Sequence, residues 1–355
     1  MPAHVTQPAV VHGQYWASTA DILDNIRANT AQDDGAPHPK FAIWERVIRN
    51  SGVQRRPLAQ PLDAPVVSGA TGLEDRNAAA WAATQDMAEQ AARQAIEQAG
   101  ITPGDIDSVI TSHTTSWAVP QLDITLINRL GLRPDVRTTA LATLACVGGT
   151  KALGKAADDV AVHPGARVLV VVSEAITSIY HHADQTTESQ IYKALFGDSA
   201  GACIVTDTPL QPGLAIDAHR QYVLPDSAHN SYWGRLDTAG FHFDSTKAAL
   251  RGPKDVLPDV VEWLKTLDLA APDWALVHAG GPAIISAVQA GLSLSDEQVA
   301  HTWASLAENG NLGGISVLDV LRRTHTTPPA PGTRGLALSF GPGFTYATLA
   351  GTWTT

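Results

Sequence analysis

Cys146-Val-Gly-Gly-Thr-Lys-Ala-Leu153 and Asn311-Leu-Gly-Gly-Ile-Ser-Val-Leu318 share a glycine pair and a later leucine, and stand 165 residues apart. Each opens a helical pattern, predicted from Cys146 to about Val162 and over Asn311–Arg322. The first ends at Pro164-Gly165, and the second runs into the loop Pro328-Pro-Ala-Pro-Gly332. Apolar runs around them repeat at nearly the same spacing. The strand containing Ile110 finds a counterpart at Val277, 167 residues on, and Arg167 and Arg334, which open the next pair of strands, are also 167 apart. Three elements in one order at a near-constant separation read as a duplication, with a period far longer than that of a solenoid. The fold class is therefore α/β, with two similar halves packed about a pseudo-twofold axis. The division falls at 1–210 and 211–355. Helix starts from both halves would then meet at the junction.

Further elements follow from periodicity. A strand is predicted near Ala9–Val11, with helices around Ala20–Ala28 and Phe41–Asn50. Residues Arg56–Arg76 read as a Pro/Gly-punctuated connection, and Trp81–Ala99 as the clearest helix, stopped by Gly100. Asp107–Thr111, Arg167–Ser173 and Ala202–Thr206 read as strands of the first half. Val256–Leu267 (helix), Trp274–Val277 and Gly335–Ser339 (strands) belong to the second.

Composition narrows the function. The 355 residues are 44% hydrophobic and 17% charged, which excludes a mainly disordered chain. The net charge of −11 argues against nucleic-acid or anionic-membrane binding and leaves an anionic small substrate needing a local basic mouth. Two cysteines cannot make a disulfide framework or a Cys-rich zinc site. Met1–Tyr15 lacks a signal pattern and no apolar run approaches the ~20 residues of a membrane helix, so a soluble, cytoplasmic protein is expected.

Cys146 sits just before a glycine pair at a predicted helix start. Backbone N–H groups and the helix dipole there would lower a thiol's pKa, although a small buried hydrophobe is the alternative reading. Cys203, inside Gly-Ala-Cys-Ile-Val, reads as core. His278 lies at the C-terminal end of an apolar strand, where ligands gather in α/β sheets, and could be a base, a thiolate's partner, or a turn histidine. Asn311 could cap a helix or aim an amide at the same cavity as Cys146. His181-His182 is a poor metal motif because adjacent side chains point apart. Gly149-Thr-Lys-Ala-Leu-Gly-Lys155 resembles a phosphate-binding loop but lacks the following hydroxyl, since residue 156 is alanine. The nine tryptophans are dispersed and form no stacking platform for bases.

Together, Cys146-Val-Gly-Gly, Leu195-Phe-Gly-Asp198, His278-Ala-Gly-Gly-Pro-Ala-Ile, Gly310-Asn311-Leu and Phe340-Gly-Pro-Gly343 resemble the chalcone-synthase-like type III polyketide synthases of the thiolase superfamily. The resemblance covers about Phe41 to Ala350. It implies a thiolase-like αβαβα layering and a Cys146–His278–Asn311 triad. Cys146, as a thiolate held by the His278 imidazolium, would take an acyl group from acyl-CoA. His278 and Asn311 would stabilise the enolate formed when malonyl-CoA loses carbon dioxide, and that enolate would extend the chain, with cyclisation possible in such enzymes. No metal or bound organic cofactor is implied. A homodimer is, and the donor is CoA or an acyl carrier protein. Phe196 and Phe243 match gating phenylalanines, and Gly341 lies in the closing loop. Arg46, Arg49, Arg55 and Arg56 cluster where the family binds CoA phosphates, with Arg55 and Arg56 the chosen pair.

The chain departs from the family at Ser112-His-Thr-Thr-Ser-Trp117, where Ser116 replaces a usual glycine beside Trp117, and at Ser199 and Ser339. These changes would place hydroxyls or bulk near the cavity, with Thr114, Ser116 and Ser339 as substrate-contacting candidates. They motivate two competitors: an acyltransferase that moves the acyl group from Cys146 without decarboxylation, and a silent partner subunit, against which the complete triad argues.

Overall fold

Val168–Glu174 reads Val-Leu-Val-Val-Val-Ser-Glu and is buried along its whole length, as a strand covered on both faces must be. In the computed structural model, which describes residues 2–228 and 231–355, it lies between parallel Ser108–His113 and antiparallel Ser199–Thr206. Parallel Arg137–Ala142 forms the edge beyond Ser108–His113. The second half repeats the arrangement: Trp274–Val277 runs parallel to Arg334–Gly341, which pairs antiparallel with Thr345–Thr354. Gly213–Val223 continues from Thr345–Thr354, and the short strand Ala3–Val5 bridges it to Ser199–Thr206, joining both halves in one ten-stranded sheet.

Two inner helices fill the space between the halves. Gly148–Val162 packs on strands of both halves, including Val168–Glu174 and Thr345–Thr354, and Ser316–Thr324 lies beside it. Leu73–Gln98 covers the outer face of the first half, and Asp296–Asn309 that of the second. The stacking is helix, strand, helix, strand, helix, as the resemblance implies. Leu153 and Leu318, the leucines matched in the repeat, are both buried in the core between the halves.

The glycine pairs explain how the halves meet. A Cβ on Gly149 would lie 2.1 Å from the Gly314 carbonyl oxygen, so the two inner helix starts touch main chain to main chain. The repeat is not perfect: a 3₁₀ turn at Ala145–Val147 precedes the first glycine pair, whereas the second turn, Gly313–Ile315, contains its own.

Several boundaries differ from the sequence reading. The long helix begins at Leu73, not Trp81, because Gly72 supplies an extended N-cap and Glu74 and Asp75 favour the first turn. The supposed connection Arg56–Arg76 also holds the strand Arg55–Leu58 and the short helix Pro65–Ser68. A hairpin, Tyr232–Asp237 with Gly240–Ser245, is an addition to the sequence reading: Phe241 and Phe243 alternate with polar residues, but both strands are short and the partner is interrupted at Gly234.

Candidate active site

The nucleophile candidate sits on a strained elbow. Between strand Arg137–Ala142 and the inner helix, Thr143 and Ala145 hold φ of 58° and 51°, a left-handed conformation unusual for either residue. Two contacts hold the bend: Thr143 N–H donates to the His113 carbonyl at 3.1 Å, and Ala145 N–H to Thr114 Oγ1 at 2.9 Å. Cys146 is therefore presented in the 3₁₀ turn Ala145–Val147 rather than inside the helix. Gly341, at the end of Arg334–Gly341, packs against Val147: a Cβ there would lie 3.0 Å from Val147 Cγ2.

Asn311 arrives from the other half. Its backbone N–H donates to the Leu195 carbonyl at 2.8 Å, and Gly197 N–H to the Asn311 carbonyl at 3.1 Å, which stitches Leu195-Phe-Gly197 to the site. The amide is oriented by Gly313 N–H, which donates to Asn311 Oδ1 at 2.8 Å. That turns Asn311 Nδ2 toward Cys146 Sγ, 3.9 Å away. His278, just past strand Trp274–Val277, places Nε2 3.3 Å from Asn311 Oδ1 and so donates to it. Cys146, His278 and Asn311, predicted from three separate segments, thus meet in one buried place. The Asn311 amide links the two, with Nδ2 toward the sulfur and Oδ1 toward the His278 ring.

Burial, followed by the charge of Glu174, pushes the Cys146 thiol up to about 12, and burial pulls His278 down to about 4. Desolvation opposes the charged pair, and the Asn311 hydrogen bond, which lowers the thiol and raises the imidazole, favours it. Glu174 was not anticipated. It ends the apolar strand Val168–Glu174 and accepts from Thr114 Oγ1 at 2.8 Å and Thr114 N–H at 3.1 Å. Burial raises it to about 8, so it holds its proton at neutral pH. A lone acid closing an otherwise apolar strand was the signal available for it.

Aromatic rings form one side. Phe196 and Phe243 meet edge to face at 6.1 Å between centroids, and Tyr232 meets Phe243 at 5.5 Å. Tyr192 donates to Ser245 Oγ at 2.7 Å. Phe243 and Tyr232 come from the hairpin, and Tyr232 also was not anticipated.

Other predicted residues fall elsewhere. Thr114 braces the elbow and Glu174. Ser116 is buried but faces Thr84 of the long helix, with hydroxyls 3.3 Å apart, and Trp117 is 69% exposed with its backbone held by Asn77. Ser339 meets Thr150 of the inner helix at 2.6 Å, so its hydroxyl is engaged within the core. Arg55 is exposed and lies over the Trp16 ring at 4.6 Å. Arg56 does not reach the surface: it is fully buried, donating to the Ala17 carbonyl at 3.1 Å, to Thr19 Oγ1 and to the Ala194 carbonyl. So placed, it contributes no charge to a basic mouth at the surface. Asp198, in the Phe-Gly-Asp motif, is a clamp that accepts from Ala59 N–H and Thr177 N–H at 2.7 and 2.8 Å. His181 stacks on His242, and among the described residues no group of three or more His, Cys, Asp or Glu could hold a metal ion. Among those residues no helix is long and apolar enough to cross a membrane.

Duplicated α/β halves with a cysteine, a histidine and an asparagine at their seam define a thiolase-type condensing scaffold. Within that class the chain belongs to the chalcone and stilbene synthase family, whose N-terminal domain matches residues 61–209 and whose C-terminal domain matches 216–351. Phloroglucinol synthase of Pseudomonas fluorescens is 33% identical over 351 residues, 98% of each chain. The 1,3,6,8-tetrahydroxynaphthalene synthase of Streptomyces griseus is 29% identical, over 99% of this chain and 93% of the relative. Among solved structures, the 1,3,6,8-tetrahydroxynaphthalene synthase of Streptomyces coelicolor, a bacterial type III polyketide synthase, superposes with a TM-score of 0.92 at 28% identity over 99% of both chains. Germicidin synthase from the same species, also a type III polyketide synthase, gives 0.91 at 30% identity over 99% of this chain and 100% of that one.

Proposed function

We propose that the protein is a type III polyketide synthase that loads an acyl group from acyl-CoA onto Cys146 and extends it with malonyl-CoA by decarboxylative Claisen condensation. The observation that carries this reading is the convergence of one thiol and two N–H donors from both halves of the chain. Cys146 Sγ, as the thiolate kept charged by the His278 imidazolium, attacks the thioester carbonyl, the bond to the CoA sulfur breaks, and CoA departs as its thiolate while the acyl group stays on Cys146. Malonyl-CoA then loses carbon dioxide. His278 Nε2–H and Asn311 Nδ2–H stabilise the enolate oxygen, a charge absent from the ground state. The enolate carbon attacks the Cys146 thioester carbonyl, the bond to Sγ breaks and frees the Cys146 thiolate, and the chain, longer by two carbons, is left on the CoA that carried the malonyl group. Phe196, Phe243 and Tyr232 keep water from the thioester. A thiol, an imidazole and an amide suffice for these steps, so no metal or bound organic cofactor enters. That relatives are named for phloroglucinol and tetrahydroxynaphthalene supports a cyclised aromatic product.

Arg55 and the exposed Arg46 are assigned to the CoA phosphates. The homodimer is carried by the exposed Trp117, Val119 and Ile124 (69%, 79% and 41%), and the reducing cytoplasm suits a free catalytic thiol. Non-decarboxylating acyl transfer loses its motive, since Ser116 and Trp117 turn away from Cys146.

Labelled malonyl-CoA, an acyl-CoA and intact-protein mass spectrometry test the roles. Wild type gives an acyl adduct and labelled carbon dioxide. Cys146→Ala gives no adduct. Asn311→Ala keeps the adduct and loses about 10²–10³-fold in carbon dioxide release, the usual effect of removing one oxyanion donor. Equal loss of adduct in both variants, or acyl transfer without carbon dioxide from wild type, overturns the assignment.

A further inference from the structure

The aromatic side of the active site carries a hydroxyl that no group among the described residues engages. Tyr232 opens the strand Tyr232–Asp237, and its Oη is buried with no hydrogen-bond partner, whereas the neighbouring Tyr192 already donates to Ser245 Oγ. Contacts on two sides fix where Tyr232 stands. Gly343 N–H donates to its carbonyl at 3.3 Å, which ties it to the loop after Gly341, the residue packed on Val147 next to Cys146. Its ring meets Phe243 at 5.5 Å and Tyr192 at 6.3 Å between centroids, and Phe243 in turn meets Phe196, whose backbone bridges to Asn311. Tyr232 is thereby held between the Cys146 turn and the Asn311 segment. Burial, and after it the charges of Cys146, Tyr192 and Glu174, keep its phenol protonated well past the usual range, so it stays a donor at neutral pH. That the Cys146 and Glu174 charges both reach it marks the hydroxyl as facing the nucleophile.

In the condensation chemistry proposed above, on which this inference rests, each extension leaves a ketone oxygen on every second carbon of the chain. Such an intermediate is rich in acceptors, and the rings of Phe196 and Phe243 offer it apolar surface only. It can close in two ways. In the first, the enol oxygen of one ketone attacks the thioester carbonyl: a carbon–oxygen bond forms, the carbon–sulfur bond breaks, the enol proton passes to the departing sulfur, and a lactone results. In the second, the carbon on the far side of that same ketone attacks: a carbon–carbon bond forms, the same carbon–sulfur bond breaks, the proton on that carbon passes to the sulfur, and the ring tautomerises to a phenol. A hydrogen bond donated to the ketone oxygen occupies the lone pair that the first route needs and stabilises the enolate that the second route needs.

We propose that the Tyr232 hydroxyl is a specificity-determining donor to this ketone oxygen, so that ring closure runs through carbon rather than oxygen. The aromatic rings exclude water and confine the chain, and the single hydroxyl among them selects which atom of the chain attacks.

Tyr232→Phe removes the hydroxyl and keeps the ring contacts with Phe243 and Tyr192. Wild type and variant are given an acyl-CoA and labelled malonyl-CoA. Lactone and phenol from chains of the same length are then separated by liquid chromatography and counted per carbon dioxide released, so that a change in overall turnover does not enter. The phenol-to-lactone ratio should fall about tenfold in Tyr232→Phe, the effect of losing one hydrogen bond of ordinary strength. Tyr192→Phe, which removes a hydroxyl already spent on Ser245, should leave the ratio unchanged. An unchanged ratio in Tyr232→Phe, an equal fall in both variants, or a wild type that yields only lactone overturns the proposal. The synthase reading fails separately, and this inference with it, where wild type forms no acyl adduct on Cys146 and releases no carbon dioxide.

Discussion

Glu174 is the residue whose titration the fold alters most usefully. Both its oxygens face Thr114, and burial raises it from 4.5 to about 8. A carboxyl with a raised folded-state pKa contributes stability that is fully present below pH 4.5 and is lost as pH rises toward 8, because the native state keeps a proton that the unfolded chain releases. The difference in unfolding free energy between wild type and Glu174→Gln should therefore drift against wild type across pH 4.5–8 and flatten above it; urea titrations at several pH values read this directly. The neighbouring arginines separate by burial. Arg55→Ala should raise KM for acyl-CoA with Tm unchanged, as an exposed side chain allows. Arg56→Gln should lower stability by about 1–3 kcal/mol, since it disturbs carbonyls left buried without their donor, with no selective effect on KM; steady-state kinetics beside thermal melts check both. Sequence could place Arg55 and Arg56 in one basic run, but their opposite directions come from the strand Arg55–Leu58, where adjacent side chains face opposite sides. Cys146 and His278 were legible because one precedes a glycine pair at a predicted helix start and the other follows an apolar strand just before Gly280-Gly281. Their protonation was not, since it depends on burial that no local pattern reports.

The elements that carry the site are the two inner helix starts and the hairpin. Gly149→Ala would drive a methyl to 2.1 Å from a main-chain oxygen that no rotamer change can move. The expected cost is about 1–3 kcal/mol or failure to fold, against less than that for alanine at the exposed Gly104, as denaturant melts would show. The strands Val168–Glu174 and Trp274–Val277 were readable because full burial demands an unbroken apolar run. The start of the long helix was obscured by a mixed, glycine-punctuated approach, and the hairpin by short strands, one of them interrupted at Gly234. The elbow at Thr143 and Ala145 is invisible to propensity: neither residue favours a left-handed backbone, and the hydrogen bonds their N–H groups donate to distant His113 and Thr114 hold it.

At the scale of the whole molecule, the duplication was legible because three elements keep nearly one spacing. The strand Ala3–Val5 was not, since three residues carry no period, yet it closes the sheet between the halves. Trp117 and Val119 present apolar surface that the isolated chain leaves to water. Val119→Glu should shift a dimer toward monomer in sedimentation or light scattering while leaving acyl loading by Cys146 measurable; an unchanged mass would remove this face from the interface. The contact between Gly149 and Gly314 bears on how such a protein can be rebuilt. At that point the seam is peptide against peptide, while Val317, Val172 and the Thr150–Ser339 pair pack around it. Chimaeras that join an amino-terminal portion from one relative to a carboxy-terminal portion from another should therefore bring sulfur and amide together only where both glycines and those flanking side chains are kept.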